Sequence, residues 1–183
     1  KLVEGINSVE AALESNRVHE IIYLSRKKKS NRLDSLINKA QNKKLKIREV
    51  KNKRDWEFNI RHSIVALCSP LLTYRESDIV KFKGSNFIVC DHIQDTNNLG
   101  AIVRSAAAFS FNVLAIPSKR SVKLSEKVFS ISSGGLEKVN ILIYNSIFSL
   151  IKKFNSLDIW TIGLDMRGDT EVNNINFNEQ NIA

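Results

Sequence analysis

The sequence predicts an α/β protein in two parts, a small N-terminal α/β unit followed by a larger unit built on a parallel sheet. Three observations predict it. Short apolar runs alternate with helical patterns along the chain, as strands and helices do in βαβ units. A charged, proline-containing stretch from Ser69-Pro70 to Gly84 interrupts that alternation with weak periodicity, as a linker does. The charge divides at the same place: residues 1–84 hold 19 Lys or Arg against 10 Asp or Glu, and residues 85–183 hold nine of each. The whole formal excess of +9 therefore lies in the first part, which suggests that this part meets a polyanion such as RNA. A solvated, lysine-rich surface is the alternative reading of the same numbers. The expected boundaries are 1–70 for the first unit, 71–84 for the linker and 85–183 for the second unit.

In the first unit, Ser8 can cap a helix in which Val9, Ala12 and Leu13 fall at helical spacing. His19–Leu24 follows as a strand, and Ser30–Gln41 as a helix with Leu33, Leu36, Ile37 and Ala40 on one face. Leu45–Val50 is a second strand, residues 54–58 a short helix, and His62–Cys68 a third strand. The run Lys27, Lys28, Lys29 falls in a loop, where cations reach a phosphate backbone without packing cost; an RNA contact and a merely solvated loop are both compatible with it. His62 at a strand start reads as a hydrogen-bonded structural residue, because no triad pattern surrounds it.

In the linker a helical turn is expected at 77–82. Beyond it come strand Phe87–Cys90, helix 99–109, strand Val113–Ile116, helix 124–131, strand Val139–Ile143, helix 146–154 and strand Ile159–Gly163. Strands alternating with helices imply a parallel sheet with ligands at the carboxyl ends of the strands. Cys68 and Cys90 each sit in an apolar run without metal-ligand spacing, so both read as buried thiols, and no metal site or disulfide is expected. No apolar stretch reaches the 18 or so residues of a membrane span and no signal pattern opens the chain, which points to the cytoplasm. Lys1 at the start and the apolar segment beginning at Asn181-Ile182-Ala183 make both ends read as cut.

The stretch Asp91-His92-Ile93-Gln94-Asp95-Thr96-Asn97-Asn98-Leu99-Gly100-Ala101-Ile102-Val103-Arg104-Ser105-Ala106 joins the Phe87–Cys90 run to the next helix through four residues that favour caps and turns. Asn98 and Arg104 are six residues apart, roughly 240° around a helix, so they need not share a face. An Asn, a Gly and an Arg at this spacing on a strand-to-helix junction resemble the first motif of the SpoU/TrmH family of RNA ribose methyltransferases, in the SPOUT superfamily. Residues 117–121, Ser132-Ser133-Gly134-Gly135-Leu136-Glu137 and Ile159-Trp160-Thr161-Ile162-Gly163 are similar to later segments of that family. Glu4-Gly5-Ile6 and His62-Ser63-Ile64-Val65-Ala66 resemble its small RNA-binding domain. Thr96 stands where Pro is usual, Ser110 where Gly is common and Gly135 where Ala is common.

The resemblance implies a small substrate-binding domain followed by an α/β-knot domain, with S-adenosylmethionine as cofactor and a homodimer as the assembly of the complete protein. It implies that Arg104 is the catalytic residue at the target ribose and its phosphate, that Asn98 supports the active loop, and that Gly163, Leu164 and Asp165 flank the cofactor. Arg104 cannot easily act as a base, since an ordinary guanidinium has a pKa above about 12. A bidentate grip on phosphate and stabilisation of the developing alkoxide suit it, with proton removal left open. Glu137 either orients Arg104 or lies on the surface. The family's Gly-x-Glu-Gly and Ser-Leu-Asn-Val-Ser loops, which form the knot, are absent from residues 1–183. The expectation is therefore a domain truncated before the knot and an inactive fragment of the enzyme. The RNA expected from the layout is large-subunit ribosomal RNA, modified at a guanosine, and transfer RNA is the alternative. A non-catalytic RNA-binding protein on a degenerate scaffold is the reading from a different class.

Overall fold

The computed structural model describes residues 1–25, 30–59 and 62–175. The first sheet contains β1 (Leu2–Glu4), β2 (Val18–Leu24), β3 (Lys46–Val50) and β4 (Ile64–Cys68), in the order β1-β4-β2-β3. β4 runs antiparallel to β1 and β2, and β2 runs parallel to β3. Helix α1 (Ile6–Glu14) precedes β2, and α2 (Asn31–Asn42) makes the crossover from β2 to β3. Ser30 caps α2 by accepting the Leu33 N–H at 3.5 Å.

Ser8 does not cap α1, contrary to the sequence expectation. The helix begins one residue after Gly5, whose φ of 84° lies in the left-handed region that favours glycine. Ser8 is a buried residue inside α1, and its hydroxyl donates to the Phe129 carbonyl at 3.2 Å. The short helix expected at 54–58 is a single 3-10 turn at Lys53–Asp55.

The second sheet is parallel throughout, in the order β5-β8-β7-β6, where β5 is Thr73–Arg75, β6 Phe87–Val89, β7 Val113–Pro117 and β8 Asn140–Tyr144. Helix α3 (Thr96–Ala108) links β6 to β7, α4 (Glu126–Ser132) and a 3-10 turn at Gly135–Glu137 link β7 to β8, and α5 (Ile147–Asn155) follows β8. The central strands β7 and β8 are buried on both faces, and alternate residues serve different clusters. Leu114, Ile116 and Ile141 pack with α3 and α4, while Val113, Ala115, Leu142 and Tyr144 pack with Leu150 and Phe154 of α5.

The stretch expected as a linker contains β5 and a 3-10 helix at Glu76–Phe82, whose Ile79 and Phe82 are buried in the second unit. The strand expected at Ile159–Gly163 does not form. Ile159 is buried in the α5 cluster, Trp160 makes an isolated bridge, and residues 163–174 are exposed. No helix among the described residues is long and apolar enough to cross a membrane.

The two units share one apolar core. Val3, Val9, Leu13 and Ile21 belong to the same buried cluster as Leu99, Val103, Phe129 and Leu136. At the seam the Phe129 carbonyl accepts the Ser8 hydroxyl and, at 2.9 Å, the Ser132 hydroxyl. Gly134, with φ 91°, lies so close to α1 that a Cβ would stand 2.9 Å from that of Ala11. Arg17 closes the seam: its Nε donates to Glu137 Oε2 at 2.9 Å, its Nη2 to Oε1 and its Nη1 to the Ser69 carbonyl, with the guanidinium 5.6 Å from the Phe129 ring centroid. Cys68 and Cys90 are buried free thiols, and burial pushes both up to about 11.

Candidate active site on the carboxyl edge of the parallel sheet

Because β5 to β8 are parallel, their carboxyl ends line one edge, where open α/β sheets bind ligands. At the end of β6, Cys90 still donates its N–H to the Ala115 carbonyl at 2.9 Å. The chain then turns through His92, a non-glycine residue at φ 53°. Asp95 caps α3 by accepting the N–H groups of Asn97 at 2.8 Å and Asn98 at 2.9 Å. Those bonds, Asn98's foremost, hold the Asp95 carboxyl below the usual carboxylate range. The helix therefore starts at Thr96, ahead of the expected 99, and Asn98 is a residue of its first turn.

Asn98 and Arg104 are both exposed on α3, and neither side chain has a hydrogen-bond or ion-pair partner among the described residues. Six helical residues place them about 9 Å apart along the axis and on different faces. The backbone beneath them is tightly packed. A Cβ on Gly100 would stand 2.6 Å from Cγ2 of Ile131, and one on Gly135 would stand 3.1 Å from the Val103 carbonyl oxygen and 3.3 Å from Cα of Arg104. Gly135, where the resemblance leads one to expect Ala, thus braces the turn of α3 that carries Arg104.

Glu137 neither orients Arg104 nor lies on the surface. Its side chain is 3% exposed and pairs with Arg17, 120 residues away in sequence. A partner so distant leaves no local signal. Tyr144 was also missed: at the end of β8 its hydroxyl lies 3.0 Å from the Cys90 carbonyl and 3.2 Å from the Asp91 carboxylate. Burial first, then the Asp91 charge, raises its pKa, so it remains a proton donor that ties β8 to the site turn. Its place as the last residue of an apolar run was the only available hint.

The loop after β7 is fastened to the same turn. The Ser121 hydroxyl and the Val122 N–H both donate to the Ile93 carbonyl, at 3.0 and 2.9 Å, and the Ser118 N–H donates to the Tyr144 carbonyl at 2.8 Å. Gly163, Leu164 and Asp165 form an exposed segment after α5. A Cβ on Gly163 would meet nothing within 4 Å, Leu164 is 80% exposed, and Asp165 is paired with Arg167 at 3.0 Å. No hydrogen bond or ion pair joins this segment to Asn98 or Arg104. Lys27, Lys28 and Lys29 lie outside the described residues.

Residues 85–183 match the SpoU rRNA Methylase family, and residues 2–70 match the family described as RNA 2'-O ribose methyltransferase substrate binding. A 23S rRNA (guanosine-2'-O-)-methyltransferase RlmB of Xylella fastidiosa is 28% identical over 180 residues, which cover 93% of this chain and 72% of the relative. A Staphylococcus epidermidis protein named for the TrmH family of tRNA/rRNA methyltransferases is 25% identical over 177 residues, covering 93% and 71%. Among solved structures, an rRNA methyltransferase from Sinorhizobium meliloti superposes with a TM-score of 0.74 at 16% identity, covering 99% of this chain and 68% of that one. The SpoU methyltransferase AviRb from Streptomyces viridochromogenes, solved with its cofactor AdoMet, gives 0.71 at 16% identity, covering 99% and 71%.

Proposed function

The chain belongs to the SpoU rRNA methylase family, and on that premise we propose that it serves to transfer a methyl group from S-adenosylmethionine to a ribose 2'-hydroxyl of structured RNA, with guanosine of large-subunit ribosomal RNA as substrate. The observation that carries this reading is the exposed, unpartnered Arg104 on a helix whose backbone is braced by Gly135, at the carboxyl edge of a parallel sheet. The match of residues 2–70 to a substrate-binding family and the name of the Xylella relative support the choice of RNA.

Bound S-adenosylmethionine supplies the electrophilic methyl group. Gly163, Leu164 and Asp165 are proposed as one flank of its site. In the described residues they form an open flank that does not by itself hold the molecule, so the chain's own chemistry rests on α3. Arg104 takes the phosphate beside the target ribose with two parallel N–H bonds and stabilises negative charge growing on the 2'-oxygen. Asn98, in the first turn of α3, supports the turn from Asp91 to Asp95 through its backbone N–H to the Asp95 carboxylate, which leaves its side chain free among the described residues. Lys27, Lys28 and Lys29 are proposed to contact RNA from the first unit, and a homodimer is the proposed assembly of the complete protein. The same openness of Gly163–Asp165 favours a second reading, an RNA-binding protein that keeps the scaffold without catalysis.

Incubating the full-length gene product with tritiated-methyl S-adenosylmethionine and unmethylated large-subunit ribosomal RNA decides between them. Label in alkali-resistant dinucleotides is the expected result. RNA binding without label would support the second reading, and label in transfer RNA alone would move the substrate.

A further inference from the structure

The formal neutrality of residues 85–183 conceals a separation of charge. Lys119, Arg120, Lys123 and Lys127 fall within nine residues, all are exposed, and none has a carboxylate within 4.0 Å among the described residues. The first unit, formally the basic one, spends many of its cations internally. Arg32 and Lys39 pair with Glu10, Lys46 and Arg48 with Glu20, and Arg48 also with Glu57.

The four free cations are not on a loose loop. The bonds from Ser121 and Val122 to Ile93 hold the end of residues 118–122 against the turn that launches α3, and those from Ser118 to Tyr144 and Asn145 tie its start to the end of β8. Arg120 is kept in the left-handed region at φ 55°. Toward the other end, Leu124, Ser125, Glu126, Lys127 and Phe129 line a cleft of about 450 Å³ against Lys1 and Leu2. The Ser125 hydroxyl there is buried and has no partner. Of the nearby carboxylates, Asp95 is hydrogen-bonded in the α3 cap and also feels the Lys127 charge without forming an ion pair, and Asp91 faces Tyr144 and His92. Glu126 alone stands unpaired within the strip.

We infer that Lys119, Arg120, Lys123 and Lys127 form a second RNA-contact surface, a fixed cationic strip that carries the phosphate backbone from the seam between the units to the α3 turn. The inference rests on the RNA reading above and adds the route to it. The cations contact phosphates and hold the RNA in register beside Arg104 without reading its sequence.

The test uses the full chain and a structured ribosomal RNA fragment, with affinity measured at several salt concentrations. Replacing Lys119, Arg120, Lys123 and Lys127 together by Ala should reduce the slope of log affinity against log salt by about 3, since each released phosphate contact contributes about 0.7–0.9. Lys123→Ala and Lys127→Ala, made singly, should each reduce it by a little under about 1 and serve if the quadruple variant fails to fold. Lys152→Ala with Lys153→Ala, a pair of free cations on α5, should leave the slope unchanged. An unchanged slope in the quadruple variant, or an equal drop in the α5 variant, overturns the proposed route. Displacement of the RNA by polyglutamate, with the strip required for it, would reassign the surface to an acidic protein. If the unmodified chain fails to bind RNA at all, the RNA reading fails as well, and the two failures are thereby distinguished.

Discussion

The seam between the two units and the exposed face of α3 are each built around an arginine, and the two arginines are used in opposite ways. Arg17 is 11% exposed and donates from all three guanidinium nitrogens, to Glu137 and the Ser69 carbonyl, beside the Phe129 ring. Arg104 is exposed, and only its backbone is held, by the close approach of Gly135. A guanidinium whose three nitrogens each already donate within the protein joins pieces of protein, while one whose donors are free can receive an anion from outside. One short segment serves both, because Gly134 touches α1, Gly135 touches α3 and Glu137 holds Arg17. The lesson is that the role of an arginine here is decided by whether a carboxylate has been brought to it.

The contrast is broken most directly at Glu137. Glu137→Ala leaves Arg17 buried and unpaired and should lower the unfolding free energy by about 3–5 kcal/mol, read by urea denaturation. A loss below about 1 kcal/mol would class the pair with surface bridges and remove the distinction. Packing beneath the site comes next. Gly100→Ala drives a methyl group into Ile131 and should cost about 1–3 kcal/mol, with wild-type stability in the variant counting against the tight packing of α3 on α4.

Arg104→Ala should change stability by no more than about 0.5 kcal/mol, as for a surface residue, while abolishing the proposed methyl transfer and leaving S-adenosylmethionine binding by calorimetry intact. Arg104→Lys should fail in the same assay, since an ammonium cannot make two parallel contacts. A destabilisation comparable with that of Glu137→Ala would show that Arg104 is structural. The smallest effect is electrostatic. The Asp95 carboxyl titrates lower in the folded chain than in the unfolded one, so its contribution is present above an unfolded pKa of about 3.9 and is lost as pH falls through the folded value. Asp95→Asn should flatten that acid limb of the stability profile and lower neutral-pH stability only slightly, since Asn caps with similar geometry but without the charge.

Much of the second unit was legible because its signals are local. Buried strands read as short apolar runs and helices as 3.6-residue patterns, so β6, β7, β8 and α3 to α5 were expected within a few residues of where they form. β1 and β5 were missed because three residues cannot display a period. The strand expected after α5 was misread because burial of Ile159 against a helix looks, in sequence, like burial in a sheet. At the site, Asn98 and Arg104 were named from the motif, and the structure sets both on α3. The charge partition pointed to the unit whose residues 2–70 match the substrate-binding family, but a sum over residues 85–183 cannot show that Lys119, Arg120 and Lys123 of the second unit stand exposed without an ion-pair partner among the described residues.

The Arg17–Glu137 pair also bears on how the chain is made. Both strands that flank Arg17 are complete once Cys68 has been added, yet its carboxylate and the glycine that covers Ala11 come more than 60 residues later. At synthesis rates of about 5–20 residues per second, the nascent first unit waits roughly 3–13 s with its seam face bare. During that interval Ser8, Ala11 and Arg17 lie open on the ribosome surface, and the seam can close only after residue 137 has left the exit tunnel.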